Sequence, residues 1–224
     1  MRTFHCLALA MSTAFCSSAY ALSAGCPEGF DAFAHKEYAE AVLNLTRCLE
    51  GRPQVSKRVL VLKVRARSYW ELKQPDLALK DQKDFIGLQK PKDKWPLINL
   101  AVFHRELKQY DEALAVLKEA EKYDDVDDPA TGPSMPIAYH TGWTLHEAGR
   151  FAEAIDVLTR GIPKQPDYGW ALYRRALSYE ALGNKEQAKR DLMRAADLGP
   201  KAGYEPEIIA KFKEYDLEAR ARMN

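Results

Sequence analysis

Between Met135 and Asp167 the chain reads MPIAYHTGWTLHEAGRFAEAIDVLTRGIPKQPD, and the spacing of apolar and small residues there leaves little choice but two short helices packed face to face. Ala138, Thr141, Gly142 and Leu145 fall at three- and four-residue steps, as do Ala154, Ile155, Leu158, Gly161 and Ile162. Such steps place one apolar face on each helix. Gly149 interrupts the pattern where an antiparallel pair must turn, and Pro163 and Pro166 close the second helix because proline has no backbone N–H to donate. Gly142 and Ala154 are small enough to let the two backbones approach, and Phe151 is expected to fill the space at the turn.

A small residue, an aromatic, then glycine with Phe/Tyr and alanine at fixed offsets, ending in proline, resembles the tetratricopeptide repeat. With the alanine of the second helix as a ruler, the repeats fall at Ala41, Ala78, Ala113, Ala154 and Ala188, spaced by 37, 35, 41 and 34 residues. The turns read Glu37-Tyr38-Ala39-Glu40-Ala41, Gln74-Pro75-Asp76-Leu77-Ala78, Gln109-Tyr110-Asp111-Glu112-Ala113, Arg150-Phe151-Ala152-Glu153-Ala154 and Asn184-Lys185-Glu186-Gln187-Ala188. Pro75 replaces the aromatic in the second, and Lys185 in the fifth, which keeps Gly183 and ends in Leu198-Gly199-Pro200. The resemblance implies an all-α, right-handed superhelical solenoid of about five hairpins, at 25–53, 57–91, 94–124, 135–168 and 169–203 within a repeat region 25–203. A final helix over 205–222, with Ile208, Ile209, Phe212 and Tyr215 on one side, is expected to cap the open end in a segment 204–224. The long third spacing is taken up by Asp124 to Ser134, DDVDDPATGPS. Its aspartates Asp124, Asp125, Asp127 and Asp128 lack the alternating spacing and central glycine of a calcium loop, so a solvated turn is expected.

Residues 1–24 read as a secretory signal peptide. Arg2 gives a one-charge leader, Phe4 to Phe15 is mostly apolar, and Ala19-Tyr20-Ala21 has the small-x-small form of a cleavage site, with Leu22-Ser23-Ala24 a second choice. The apolar stretch contains His5 and Thr13 and falls short of the ~20 residues a membrane span needs. The expected mature protein is soluble and periplasmic or secreted. Removal of Arg2 leaves 32 basic and 32 acidic residues, so no global field attracts nucleic acid.

Of four cysteines, Cys26 and Cys48 remain in the mature chain. A hairpin brings the start of its first helix and the end of its second to the same place, and an exported compartment permits a disulfide there. That bond would stabilise the first repeat by roughly 3 kcal/mol, which suits a first helix as short as Pro27 to Ala34 with Gly29 inside it. Ser23-Ala24-Gly25-Cys26 also reads as a lipoprotein processing site, which would put a lipid anchor on Cys26 and forbid the pair. Leucine is usual three residues before such a cysteine, whereas Ser23 stands there, and the disulfide is the favoured reading.

The family resemblance implies that first helices line a concave groove. On this chain the groove positions are Lys63, Arg67 and Trp70; Asn99, Val102 and Arg105; Tyr139, His140, Trp143 and His146; and Trp170, Tyr173 and Arg174, with Glu106, Glu147 and Glu180 near the edge. A neutral chain that gathers cations and aromatics on one face suits a protein or peptide partner with carboxylates and apolar or planar groups. The alternative is that the cationic stems cover a solvated face and the aromatics pack between repeats. Lys63 and Asn99 only partly match the lysine and asparagine clamp of chaperone-binding members, and that clamp is not assigned.

No catalytic constellation stands out. The chain has no Gly-rich phosphate loop and no Gly-x-Ser-x-Gly elbow. His140 and His146 are six residues apart and so lie on different helix faces, His104 faces the helix seam, and paired cysteines leave no thiol nucleophile. No cofactor and no metal are expected. The reading is a non-catalytic periplasmic adaptor or assembly factor. Alternatives are an outer-membrane lipoprotein that helps build an envelope or secretion complex, and a periplasmic inhibitor of an exported toxin.

Overall fold

A computed structural model describes residues 26–124, 132–198 and 206–217. The expected signal peptide, most of the acidic loop and the segments 199–205 and 218–224 lie outside the described residues. Among the described residues there are eleven α-helices and no strand. The chain divides at Lys90/Pro91 into two compact units. The first holds α1 (Cys26–Ala34), α2 (Tyr38–Glu50), α3 (Val55–Glu71) and α4 (Pro75–Leu88). The second holds α5 (Trp95–Glu106), α6 (Tyr110–Ala120), α7 (Met135–Glu147), α8 (Phe151–Gly161), α9 (Gly169–Ala181), α10 (Lys185–Asp197) and α11 (Pro206–Glu214). Prolines at the first turns of α4, α5 and α7 sit where a missing N–H costs nothing. Odd- and even-numbered helices up to α10 pair as hairpins, α1 with α2 through α9 with α10.

One turn closes every hairpin. Five residues before each ruler alanine the backbone enters the left-handed region, at Lys36 (φ 64°), Lys73 (59°), Lys108 (57°), Gly149 (76°) and Gly183 (78°). The next residue's N–H then reaches back to a carbonyl five residues earlier: Glu37 to Ala32, Gln74 to Tyr69, Gln109 to His104, Arg150 to Leu145 and Asn184 to Tyr179, at 2.8–2.9 Å. This is a Schellman closure, which satisfies carbonyls a helix end would otherwise leave orphaned. Lysine tolerates left-handed backbone only at a cost that glycine avoids. The five ruler alanines are completely buried, so no larger side chain fits where the second helix meets the first.

α11 departs from the expected helix over 205–222. It stops at Glu214, because Asp216 (φ 58°) is left-handed and Leu217 N–H returns to Phe212 O at 2.8 Å. The last described helix thus ends in the same turn as the first helices of the hairpins. Ile208 and Phe212 are fully buried in the core of the second unit, Tyr173 donates to Glu207 Oε1 at 2.8 Å, and Tyr215 donates to Glu180 Oε1 at 2.6 Å.

In the first unit Cys26 and Cys48 form a disulfide with Cα atoms 4.9 Å apart, beside Leu45 and Val61 in a small core. Two polar ties that the sequence reading did not anticipate join successive hairpins. Arg65 of α3 makes two hydrogen bonds of 2.7 Å to Asp81 of α4 and one of 2.9 Å to Thr46 of α2. Arg175 of α9 repeats this with Asp191 of α10 (2.7 Å twice) and Thr159 of α8 (3.0 Å). Each arginine therefore clips its own hairpin to the preceding one. Bidentate geometry with a nearly buried carboxylate makes these ion pairs far stronger than the exposed ones on the surface.

The seam of α7 and α8 is close, as its small residues predict. A Cβ built on Gly142 would lie 2.5 Å from Leu158 Cγ, so Leu158 occupies the space that the glycine leaves open. Leu158 is fully buried and has no room to swing away. Gly142→Ala is expected to destabilise the protein by about 1 to 3 kcal/mol. Chemical denaturation checks this, and Leu158→Ala in the same chain should recover part of the loss.

Candidate functional site: a tryptophan between two arginines

The first helices α5, α7 and α9 of the second unit lie side by side. They place three sequence-predicted residues in one stack. Trp143 projects from α7, and the guanidinium carbons of Arg105 on α5 and Arg174 on α9 are each 3.8 Å from its ring centroid. Two guanidiniums that close to one centroid would overlap on a single face, so they cover opposite faces. The indole Nε1–H donates to Glu147 Oε1 at 3.2 Å.

Both arginines are deeply buried, Arg105 at 4% exposure and Arg174 at 6%. Arg105 has buried Nε and Nη1 atoms with no acceptor, Arg174 has a buried Nε in the same condition, and so does the Nδ1 of His140. The nearest carboxylate oxygen that Arg105 meets is Glu106 Oε1, 4.0 Å from Nη2. Burial pushes the Arg105 guanidinium down to about 10 against the pull of Glu106, and the positive charge of Arg174 pushes it the same way as burial. A quadrupolar ring face attracts each cation, but it supplies no hydrogen-bond acceptor in the plane of the guanidinium.

An aromatic cluster supports the stack. The Tyr139 ring lies 5.6 Å from Trp143, 5.0 Å from His140 and 5.2 Å edge-on from Tyr168, which the sequence reading had not singled out. Burial raises the Tyr139 hydroxyl to about 12, despite the opposing charge of Arg174, so it stays protonated. Burial and the charge of Arg105 hold His140 neutral, down at about 3. His146 is also lowered by burial, and its Nδ1 lies 2.9 Å from Ser178 Oγ. Ser178 spends its own proton on the Arg174 carbonyl at 3.1 Å, so His146 Nδ1–H is the donor. The serine that fixes this histidine carries no sequence signal beyond its register.

The remaining expected groove residues are placed differently. Tyr173 is buried and tied to α11 through Glu207, and Glu180 is tied there by Tyr215 and by Lys211 at 3.2 Å, so both serve the seam with α11 rather than an open wall. Trp170 and Val102 are half-buried, and Asn99 is exposed. In the first unit Lys63 is exposed, Arg67 pairs with Glu71 at 2.6 Å, and Lys73 lies 5.9 Å from the Trp70 ring. His104 is a buried seam residue whose Nδ1 donates to Gln109 Oε1 at 2.7 Å. Among the described residues no three His, Cys, Asp or Glu side chains converge as metal ligands, and no helix is long and apolar enough to cross a membrane.

Comparison with known proteins agrees with the fold. Tetratricopeptide repeat models match residues 97–127 and 170–200. Crystal structures of MamA superpose with TM-scores of 0.62 and 0.63 at 17% and 19% identity, covering 86% and 79% of this chain and 93% and 97% of theirs. YrrB, described as a TPR protein with an unusual peptide-binding site, superposes with a TM-score of 0.59 at 17% identity over 83% of this chain and 88% of its own. Protein PHOX3 of Arabidopsis thaliana is 39% identical over 67 residues, which span 30% of this chain and only 8% of that protein. These matches identify tetratricopeptide repeats at 97–127 and 170–200, and the all-helical fold with its repeated hairpin turn is the fold of tetratricopeptide-repeat proteins. Its fold is that of a protein–protein interaction module.

His140 gives the site a pH signature. The unfolded ring takes up a proton below pH 6.5, while the folded ring resists protonation to about 3, so stability is complete above pH 6.5 and falls as the solution is acidified. Between pH 6.5 and about 5 the loss due to His140 should be on the order of 2 kcal/mol. Denaturation at a series of pH values should show a shallower acid limb for His140→Gln than for the unaltered protein.

Proposed function

We propose that the protein is a non-catalytic adaptor or assembly factor of the bacterial periplasm that binds a protein segment on the first-helix face of its second unit. One observation carries this reading: Trp143, held between Arg105 and Arg174 beside Tyr139 and His140, concentrates cationic and aromatic side chains in one place on a chain whose formal net charge is only +1. Tryptophan and arginine are the residues on which interface energy concentrates. Peptide binding by YrrB, a protein of the same fold, supports the same use of this one. Mechanistically the site recognises shape and charge. Stacked first helices present a rigid wall, the indole and its neighbours supply contact area, and the arginines orient the acidic groups of the partner.

The export part of the reading rests on the leader-like composition of residues 1–24 and on the Cys26–Cys48 disulfide, a bond that suits an oxidising compartment. Both parts are tested on protein purified with its partner from the native host. Trp143→Ala should weaken partner retention at least about tenfold, in the range of an interface hot spot, while the melting temperature changes little. A variant that melts, yet retains the partner fully per folded molecule, contradicts the assignment of the face. The mature mass should begin at Leu22 or Gly25 with two thiols freed only by reduction, whereas a mass beginning at an acylated Cys26 contradicts a soluble periplasmic protein.

A further inference from the structure

The arginines that flank Trp143 are costly as they stand. Two guanidiniums, more than nine-tenths buried, carry three buried N–H-bearing nitrogens with no acceptor between them, and His140 adds a fourth unpartnered nitrogen on the same helix as Trp143. A buried donor without an acceptor costs as much as a lost hydrogen bond, and more when it is charged. The fold shows elsewhere how it treats an arginine that serves structure alone: Arg65 and Arg175 each have a bidentate aspartate and a threonine. Arg105 and Arg174 have no such aspartate, and Arg174 has a side-chain hydrogen bond to the Tyr139 hydroxyl while its Nε stays without an acceptor. The difference is one of register: Arg65 and Arg175 each stand thirteen residues before the ruler alanine and meet the aspartate three residues past it, whereas Arg105 stands eight and Arg174 fourteen residues before theirs.

We infer that the Arg105–Trp143–Arg174 stack is an anion site that takes one carboxylate from the partner, an Asp or Glu side chain or a chain terminus, with the unpartnered nitrogens as its donors. This inference rests on the partner-binding reading of the same face. A carboxylate fits better than a more highly charged anion. Glu106 and Glu147 stand beside the stack, 4.0 Å from Arg105 Nη2 and 3.2 Å from the Trp143 indole nitrogen, and they oppose a second negative charge. The carboxylate removes the repulsion between two buried cations and gives their in-plane donors the acceptor that the indole faces cannot provide.

The test is a titration of the full chain with sodium acetate, followed at the side-chain Nε–H resonances of Arg105 and Arg174. These are assigned with Arg105→Lys and Arg174→Lys. A saturable downfield shift of both, absent with sodium chloride at equal ionic strength, is the expected result, and Arg174→Gln should weaken it about tenfold, the loss of a charge-assisted hydrogen bond. Equal shifts with chloride, or no shift with acetate, overturn the inference. Two peptides then distinguish the sources: acetyl-Gly-Glu-Gly-amide carries only a side-chain carboxylate, and acetyl-Gly-Gly-Gly only a terminal one. The peptide that reproduces the acetate shift names the group, and failure of both overturns a peptide carboxylate as occupant. Should a lysine variant fold poorly, the rise in melting temperature of the unaltered protein with acetate, measured against Arg174→Gln, gives the same decision. An acetate shift without partner retention would overturn the partner reading and leave the anion site standing, and the reverse result would do the opposite.

Discussion

Each hairpin depends on a single left-handed residue placed five positions before a buried alanine. The left-handed backbone at Lys36, Lys73, Lys108, Gly149 and Gly183 reverses the chain, and the N–H that follows it closes the helix end. The alanine then sets how closely the returning helix can lie. With the turn and the contact fixed in the same register each time, every first helix shows a corresponding face. In the second unit this brings α5, α7 and α9 into a row. Residues with no sequence relation to one another, Arg105, Trp143 and Arg174, are thereby stacked to within 3.8 Å.

The same scaffold treats its arginines in two ways. Arg65 and Arg175 lie toward the second helices, where an aspartate three residues past the alanine meets them, and their charge is spent inside the fold. Arg105 and Arg174 lie against an aromatic ring with donors unused. A repeat protein tolerates such a site because stability is summed from many local contacts, among them the buried alanine and leucine core of α7 to α11 against which Trp143 packs. His140, Tyr139 and His146 keep the neighbourhood uncharged at neutral pH, so the two arginines dominate its field.

Much of this was legible in the residues themselves. The ruler alanines, Gly149, Gly183 and the apolar steps of α7 and α8 mark hairpins by size and periodicity alone. Lys36, Lys73 and Lys108 do not announce left-handed turns, because lysine disfavours that backbone and adopts it only under tertiary constraint; their register relative to the alanine was the signal. The Arg65–Asp81 and Arg175–Asp191 ties were legible in principle, since both pairs are separated by the same sixteen residues at the same register. The expected groove residues lie on first helices, but sequence spacing cannot say whether a cation is solvated or stacked. Tyr173 shows the limit: the position that would face a ligand is covered once Glu207 of α11 reaches it. The early end of α11 was hidden in the same way, since Asp216 reads as a solvated helix residue until its backbone is seen to turn.

The most direct test of the account places a photocrosslinking amino acid at Asn99, exposed on the first helix α5, and separately at Lys118, exposed on the second helix α6, in the native host. If partners bind the first-helix face, irradiation should give a discrete high-mass adduct from position 99 that disappears with Trp143→Ala, and none from position 118. An adduct from position 118 that persists in Trp143→Ala, with none from position 99, would contradict the account and move the binding surface to the opposite side of the hairpins.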